Sequence, residues 1–140
     1  MIRVVFDTNV LFSAIYKKTG TPGQLVDLVT TGLLTPCVSD AVMAEYEDVL
    51  NRPILRSHAA RARKVLALFG QIGYWVSPTE SIRLASDPSD DRFIECAIAA
   101  HAEYLITGNL RHFPARYERV NIVSPAILLR ELSSEKKDAA

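Results

Sequence analysis

A nearly unbroken apolar strand at the start of the chain does most to restrict the fold. Residues 2–6 read IRVVF, and a strand that is apolar almost throughout is typical of one covered on both faces. The run ends at Asp7, and residues 8–18 follow with apolar residues at helical spacing. This start predicts a central parallel strand, an acidic residue at its carboxyl end and a crossover helix.

The rest of the chain continues the alternation of strands and helices. Segment 111–118 reads as a loop, and Pro36 weakens the second predicted strand. This alternation predicts one α/β domain, residues 1–134, with an open parallel sheet and a disordered tail at 135–140. Further strands are predicted at 33–38, 73–78, 103–107 and 120–124, and further helices at 22–32, 39–53, 58–72, from 87 onward, and from 124.

The composition is that of a globular domain, since the chain has 140 residues of which 49% are hydrophobic. The first residues lack a signal-peptide pattern and no run approaches the ~20 apolar residues of a membrane span, so we expect a cytoplasmic protein without membrane contact. Cys37 and Cys96 lack metal-ligand spacing and are predicted to be reduced, packed thiols.

Charge is balanced overall but unevenly distributed along the chain. Sixteen cationic and sixteen anionic residues give zero formal charge, yet no acidic residue lies between Asp48 and Glu80. That acid-free stretch is either a solvated helix face or an electrostatic track for a polyanion. Its cations are Arg52, Arg56, Arg61, Arg63 and Lys64.

Four acidic residues lie within nine positions at the start of the predicted helix at 87. Asp87 precedes a proline and reads as an N-cap, and Asp90 can complete a capping box. Asp91 and Glu95 lie one turn apart and share a helix face. Asn109 follows the strand 103–107, so it and Asp7 lie at strand ends where open parallel sheets bind ligands.

Glu45 falls inside the apolar arc of the helix predicted at 39–53. A carboxylate on that side must be paired, hydrogen-bonded or bound to a cation, because an isolated buried charge is costly. It can form a salt bridge with Arg52 or another helix, or it can converge with Asp7 and Asp91 on a metal. Such a set of oxygen ligands suits Mg²⁺ or Mn²⁺, which could activate water against a phosphodiester.

These residues carry a resemblance to a protein family. DTN at 7–9, AEYEDVL around Glu45, DPSDDRF with Asp91 and YLITGN ending at Asn109 resemble, in order, the motifs of PIN domains, in particular those of toxins from toxin–antitoxin pairs. The separation of 18 residues between the last two positions matches PIN domains generally. It selects Asp91 as the third acid and leaves Asp90 as second choice.

The resemblance implies a three-layer α/β/α sandwich with a five-stranded parallel sheet of order 3-2-1-4-5. It also implies a Mg²⁺- or Mn²⁺-dependent endonuclease for single-stranded RNA, a homodimer, and a small antitoxin that blocks the site. The implied catalytic acids are Asp7, Glu45 and Asp91, which with Asn109 would bind the metal. Supporting polar residues would be Thr8, Asn9, Asp90, Glu95 and Thr107. Apart from the resemblance, the acid-free stretch is predicted to guide the RNA backbone, with contacts from Arg52, Arg61, Arg63 and Lys64. Helix capping and turn chemistry are the alternative for Thr8, Asn9 and Thr107.

Three other functions compete with the one that this resemblance implies. A phosphatase of the haloacid dehalogenase type needs a second Asp two residues after the first, where this chain has Asn9. A receiver domain needs an acidic pair at the first turn and a lysine after the last strand, and neither is present. The third rival is a PIN-like module that binds RNA or a partner without cutting. Asn109 favours it, since PIN domains commonly carry Asp at that position.

Overall fold

Five parallel strands and one short antiparallel strand form a single sheet in the computed structural model of the chain, which describes residues 2–84 and 87–139. The order is β3-β2-β1-β4-β6-β5, so without β5 it is the predicted order, and the α/β class is confirmed. The strands are β1 (Ile2–Phe6), β2 (Leu34–Val38), β3 (Tyr74–Trp75), β4 (Tyr104–Ile106), β5 (Arg116–Tyr117) and β6 (Val120–Val123).

The sixth strand corrects the prediction of a plain loop at 111–118. β5 pairs antiparallel with β6 through Tyr117 and Val120, so two residues form the turn between them. Glu118 has a φ of 52°, the positive value that two-residue hairpin turns require. No Asn-Gly or Asp-Gly pair announces this turn in the sequence, which is why the pattern predicted a loop.

The helices begin and end close to the predicted positions, with one departure at the carboxyl end. The sequence predicted a disordered tail at 135–140, whereas the last helix continues through Ala139; Ala140 lies outside the described residues. Glu, Lys and Ala favour helix there, and no glycine or proline ends it. The helices are α1 (Thr8–Tyr16), α2 (Thr21–Thr30), α3 (Asp40–Leu50), α4 (Ala59–Ile72), α5 (Asp91–Ala100) and α6 (Pro125–Ala139).

β1 is the centre of the sheet, as its sequence predicted. It pairs with β2 on one side and β4 on the other, and Val4, Val5 and Phe6 are fully buried. β2 accommodates Pro36 because β3 pairs only with Cys37 and Val38, beyond the proline.

Both cysteines are buried and free, and burial raises the pKa of Cys37 to about 11 and that of Cys96 to about 12. The prediction of reduced, packed thiols is therefore confirmed. In the described part of the chain, every helix is too short or too polar to cross a lipid bilayer.

One side chain fixes α3 over the carboxyl end of β1. The hydroxyl of Tyr46, which is fully buried, donates a hydrogen bond to the carbonyl oxygen of Phe6. The Tyr46 ring also packs against Phe69 and Phe93, each at a centroid distance of 6.2 Å. Burial raises the pKa of the Tyr46 hydroxyl well above its usual value, so this group remains a donor. Tyr46 thereby holds α3 beside the residue that follows Phe6, which is Asp7.

We predict that Tyr46→Phe lowers the free energy of unfolding by ~1–3 kcal/mol, because the buried Phe6 carbonyl loses a donor. Urea denaturation monitored by far-UV circular dichroism measures the change. Tyr16→Phe is the matched control; Tyr16 is 53% exposed, so we expect a change within ~0.5 kcal/mol. Equal effects of the two substitutions would contradict an anchoring role for Tyr46.

Candidate active site at the carboxyl edge of the sheet

Asp7 lies at the carboxyl end of β1 and is buried, with 4% of its surface exposed. Its backbone N–H donates to the carbonyl of Ile106 at 2.8 Å, which continues the pairing of β1 with β4. Although Asp7 precedes α1, its side chain makes no capping hydrogen bond to that helix. Its Oδ2 instead accepts from Thr107 Oγ1 at 2.7 Å and from Asn9 Nδ2 at 3.2 Å. Asp7 is therefore oriented by residues of two strand ends.

The two residues that hold Asp7 belong to a wider polar network. Thr107 Oγ1 also accepts from the backbone N–H of Asn109 at 3.0 Å, and Asn9 Oδ1 accepts from the N–H of Gly108 at 3.1 Å. The turn after β4 is thus fastened to the turn after β1. Thr107 and Asn9 hydrogen-bond the acid itself, which favours an orienting role over simple turn chemistry.

Thr8 has a different environment from its neighbours. Its Oγ1 is buried and has no hydrogen-bond partner among the described residues. A buried hydroxyl without a partner is uncommon in folded proteins, and such groups often lie at functional sites. This orphan oxygen adjoins the most buried acid of the edge, so it is a candidate to bind a ligand there.

Burial raises the pKa of Asp7 above its usual value. The hydrogen bonds from Thr107, the Thr8 backbone and Asn9, together with the charge of His112, lower this pKa in part. A carboxylate that is buried at a raised pKa is stabilised by any cation that comes close to it.

Asp90 is an acidic residue whose pKa is raised in part by the charge of Asp7. The pKa of Asp90 is raised to about 6, mainly by burial and in part by the charges of Asp7, Asp87 and Asp91, while His112 lowers it. The Oδ2 of Asp90 lies 3.8 Å from Nδ1 of His112, and the Asp90 side chain is 18% exposed. The edge therefore concentrates negative charge with one histidine beside it.

The capping roles predicted for this acidic segment hold for one residue and fail for another. Asp87 Oδ1 accepts from the backbone N–H and the hydroxyl of Ser89 at 3.0 and 2.9 Å, so Asp87 stabilises the 3-10 turn at 88–90. Asp90 occupies the N-cap position of α5 without making a capping hydrogen bond. The predicted capping box is wrong, because the 3-10 turn places helical backbone already at Asp90.

Asp91 and Glu95 share one face of α5, as their spacing predicted. Asp91 Oδ1 accepts from the N–H of Leu84 at 2.9 Å, and Glu95 Oε2 accepts from the N–H of Ile82 at 2.9 Å. Both acids therefore bind the extended segment that precedes the acidic cluster, and Asp91 is 5% exposed. Asp91, the predicted third acid, thus binds backbone, and Asp90, the second choice from the sequence, has its pKa raised in part by the charge of Asp7.

Glu45 is half-buried on α3, next to Tyr46. Its carboxylate has no hydrogen bond or ion pair within the described ranges of the chain. The salt bridge to Arg52 that the sequence left open does not form, since Arg52 lies 3.9 Å from Asp48 with both side chains exposed.

A 3-10 turn, Leu110–His112, follows β4; Asn109 directly precedes it and His112 is its last residue. Asn109 is exposed and its side chain makes no hydrogen bond to a described residue. Sequence reasoning missed His112 because it placed the residue in an unstructured loop. The available signal was its position three residues after Asn109, which one 3-10 turn brings back toward the strand end.

The predicted RNA-contacting residues divide by environment. Arg61 is half-buried, and its Nη1 donates to the carbonyl of Ile15 at 2.8 Å, near the carboxyl end of α1. Arg63 and Lys64 are exposed on α4. Arg61 therefore stabilises the end of α1 whether or not it also binds a ligand.

Within residues 2–84 and 87–139, no three acidic, histidine or cysteine side chains lie close enough together to hold a metal ion. The chemistry of the edge nevertheless matches one kind of ion. Mg²⁺ is commonly bound through one or two carboxylates, with water and substrate phosphate oxygens completing the ligand set. Asp7 and Asp90 supply two such carboxylates, both at raised pKa.

Comparison with known proteins adds to this geometry. A sequence model described as the PIN domain matches residues 3–111. The chain is 30% identical over 111 residues to "Uncharacterized protein MJ1680" of Methanocaldococcus jannaschii, and the match covers 77% of this chain and 71% of that protein.

A solved structure shares the fold. It is a chain in the crystal structure of VapBC2 from Rickettsia felis bound to a DNA fragment from their promoter, with a TM-score of 0.57 and 17% identity. The superposition covers 88% of this chain and 98% of the other. At this identity the likeness concerns the fold alone.

The raised pKa of Asp90 predicts a pH-dependent difference between wild type and Asp90→Asn in the absence of metal. Asp90 binds its proton more tightly in the folded chain, at about 6, than in the unfolded chain, near 3.8. The folded state therefore loses stability as pH rises through this window. We expect the free energy of unfolding of Asp90→Asn, measured with urea in EDTA, to rise relative to wild type over the same window and then level.

Asp87→Asn is the control for that series. The hydrogen bonds from Ser89 lower the pKa of Asp87, so loss of this charge removes stability at neutral pH, and the rise expected for Asp90→Asn should be absent or smaller in Asp87→Asn. A difference between Asp90→Asn and wild type that stays constant with pH would refute the assignment of a strained acid at Asp90.

Proposed function

The chain belongs to the PIN domain family, and from this premise we propose that it is a metal-dependent endonuclease that cuts single-stranded RNA. The observation that carries the proposal is the pair of acids at the carboxyl edge of the sheet. Asp7 is buried and Asp90 half-buried, and each is held at a raised pKa. A fold gains nothing in stability from placing like charges together, so the arrangement is explained by a cation that binds between them.

We propose Mg²⁺ or Mn²⁺ as that cation, with Asp7 and Asp90 as its principal carboxylate ligands. Oxygen ligands suit both ions, and the orphan hydroxyl of Thr8 supplies a further oxygen at this edge. Asp91, Glu45 and Asn109 remain predicted contributors to the site. When bound, the ion would polarise a water molecule and offset the charge that develops on the phosphate.

The residues of the chain have distinct tasks in this proposal. Thr107 and Asn9 keep the Asp7 carboxylate in one orientation, which limits the reorganisation that binding requires. Glu95 and Asp91 keep the segment 82–84 against α5, beside the acids. Nδ1 of His112 lies 3.8 Å from Oδ2 of Asp90, where the imidazole can donate a hydrogen bond to a phosphate oxygen that approaches the acids.

We further propose that the protein is the toxin of a toxin–antitoxin pair, that it forms a homodimer in the cytoplasm, and that a small antitoxin blocks the edge of the sheet. Support comes from the shared fold with a chain of VapBC2 and from the resemblance of the four motifs to PIN toxins. An antitoxin that covered this edge would do so most effectively with a cationic side chain placed against Asp7 and Asp90.

A second candidate function is a PIN-like module that binds RNA or a partner without cutting it. Asn109 favours this candidate, because it is exposed and supplies no negative charge where PIN domains commonly carry Asp. Incubation of purified protein with single-stranded RNA and Mn²⁺, with an EDTA control, distinguishes the two functions. Cleavage supports the nuclease, whereas binding without cleavage supports the module.

We predict that Asp7→Asn and Asp7→Ala both abolish cleavage and both lose the stabilisation that Mn²⁺ gives wild type. Binding to the folded state alone stabilises a protein by ~2.7 kcal/mol when the ion is at 100 times its Kd. Thermal denaturation with and without Mn²⁺ measures this shift, and the Asn variant keeps the side-chain volume. Full metal stabilisation and full cleavage in both variants would contradict the assignment of Asp7 as a metal ligand.

Asn109→Asp should strengthen metal binding. The substitution adds a carboxylate two residues after Thr107, which is hydrogen-bonded to Asp7. We therefore expect tighter Mn²⁺ binding or a second bound ion by calorimetric titration. Asn121→Asp is the matched control, because Asn121 is also exposed but pairs with Tyr104 at the opposite end of the strands. The same affinity and stoichiometry in all three proteins would contradict the prediction.

A further inference from the structure

An exposed aromatic stack lies at the far end of α1 from the acids. The rings of Phe12 and Tyr16 are nearly parallel, at 7°, with centroids 6.0 Å apart. His58 meets Tyr16 edge-on at 5.7 Å, from the 3-10 segment Pro53–His58. Tyr16 is 53% exposed, and Phe12 beneath it is partly buried against the core, so the stack presents one large aromatic face to solvent.

Cationic residues adjoin this stack in the sequence and line a neighbouring cavity. Lys17 and Lys18 follow Tyr16 directly and are exposed, and Arg56 is exposed two residues before His58. A cavity of about 530 Å³ begins at His58 and is also lined by Lys18, Arg61 and Lys64, with Asp27 as its acidic member. The aromatic stack and the cationic cavity therefore share His58 and form one continuous surface.

We propose that this surface is a subsite for single-stranded RNA, on which one base stacks against Tyr16 while the adjoining phosphates lie along Lys18, Arg61 and Lys64. Aromatic faces beside a cationic groove are the arrangement by which proteins bind single strands without base-specific contacts. The inference rests on the proposed function, since it takes RNA as the ligand. It adds to that function the surface, outside the acidic edge, on which the strand is held.

The position of the surface suits a strand that also reaches the acids. Asp7 precedes the first residue of α1 and Tyr16 is its last, so the two lie about 13 Å apart along the helix axis at ~1.5 Å per residue. A short single strand spans this separation. The surface would hold the strand while the acidic edge acts on a phosphodiester one or a few nucleotides away.

Charge favours RNA over a second copy of the chain as the occupant. In a symmetric dimer through this surface, the cationic residues of one copy would face those of the other. Like charges placed opposite one another across an interface oppose association. Each of these cationic residues instead attracts a polyanion, and binding of the polyanion releases its counterions.

The test measures binding of a fluorescent RNA of about twelve nucleotides, within the ~4–16 that single-strand sites occupy, by anisotropy in EDTA so that no cleavage occurs. Tyr16→Ala should weaken binding about 5- to 100-fold, the loss of one base stack. Tyr16→Phe should keep wild-type affinity, because the ring is retained. Trp75→Ala is the matched control; Trp75 is 46% exposed on β3, and its loss should change nothing.

Lys64→Gln should in addition reduce the dependence of affinity on salt concentration by about one phosphate contact. Equal affinities of Tyr16→Ala and Trp75→Ala, or no RNA binding by wild type, would overturn the subsite. Conversion of a dimer to a monomer by Tyr16→Ala at unchanged RNA affinity, seen by sedimentation, would overturn it in favour of a protein interface.

The same measurements separate this inference from the proposed function. Because binding is read in EDTA, a protein that binds RNA through Tyr16 yet never cuts it with Mn²⁺ refutes only the nuclease. A protein that cuts RNA while Tyr16→Ala binds normally refutes only the subsite.

Discussion

The hydrogen bond from Thr107 to Asp7 joins the ends of the two central strands and determines the chemistry of this edge. Asp7 ends β1 and Thr107 follows β4, and their side chains meet at 2.7 Å in a fully enclosed position. Asn9 adds a second donor to the same carboxylate oxygen. Because the sheet brings these ends together, an acid that would otherwise turn toward water is kept within the protein, at a raised pKa.

The remaining polar contacts follow from that enclosed acid. Asp90, at the N-cap position of α5, has its pKa raised to about 6 by burial and in part by the charge of Asp7, and His112, in the 3-10 turn after β4, lies 3.8 Å from Asp90. Tyr46 fixes α3 on the carbonyl of Phe6, the residue before Asp7. Each contact holds an element of secondary structure against the carboxyl edge of β1. Stability alone does not account for this concentration of charge, and the cation that we propose for this edge would offset it.

Much of the fold could be read from the sequence, because its signals are local. The apolar run 2–6 and the helical spacing after it predicted the central strand and its crossover, and the strand order agrees apart from β5. β5 was missed because its turn depends on a positive φ at Glu118, a residue type that gives no such signal.

The site was less accessible to sequence reasoning, because it depends on which way side chains turn. The spacing of motifs predicted Asp91 as the third acid. The structure adds that Asp91 accepts from the N–H of Leu84, and that the charge of Asp7 helps to raise the pKa of Asp90, the last residue of the 3-10 turn at 88–90. The link between Asp90 and His112 joins two loops and has no sequence period.

The most direct test of the account is diffraction from crystals of the protein grown with Mn²⁺, at a wavelength where manganese scatters anomalously. The account predicts an anomalous peak in contact with the carboxylates of Asp7 and Asp90, with Thr107 still bonded to Asp7. A peak confined to other parts of the surface, or no peak in crystals that contain Mn²⁺ at a concentration that supports cleavage, would contradict it.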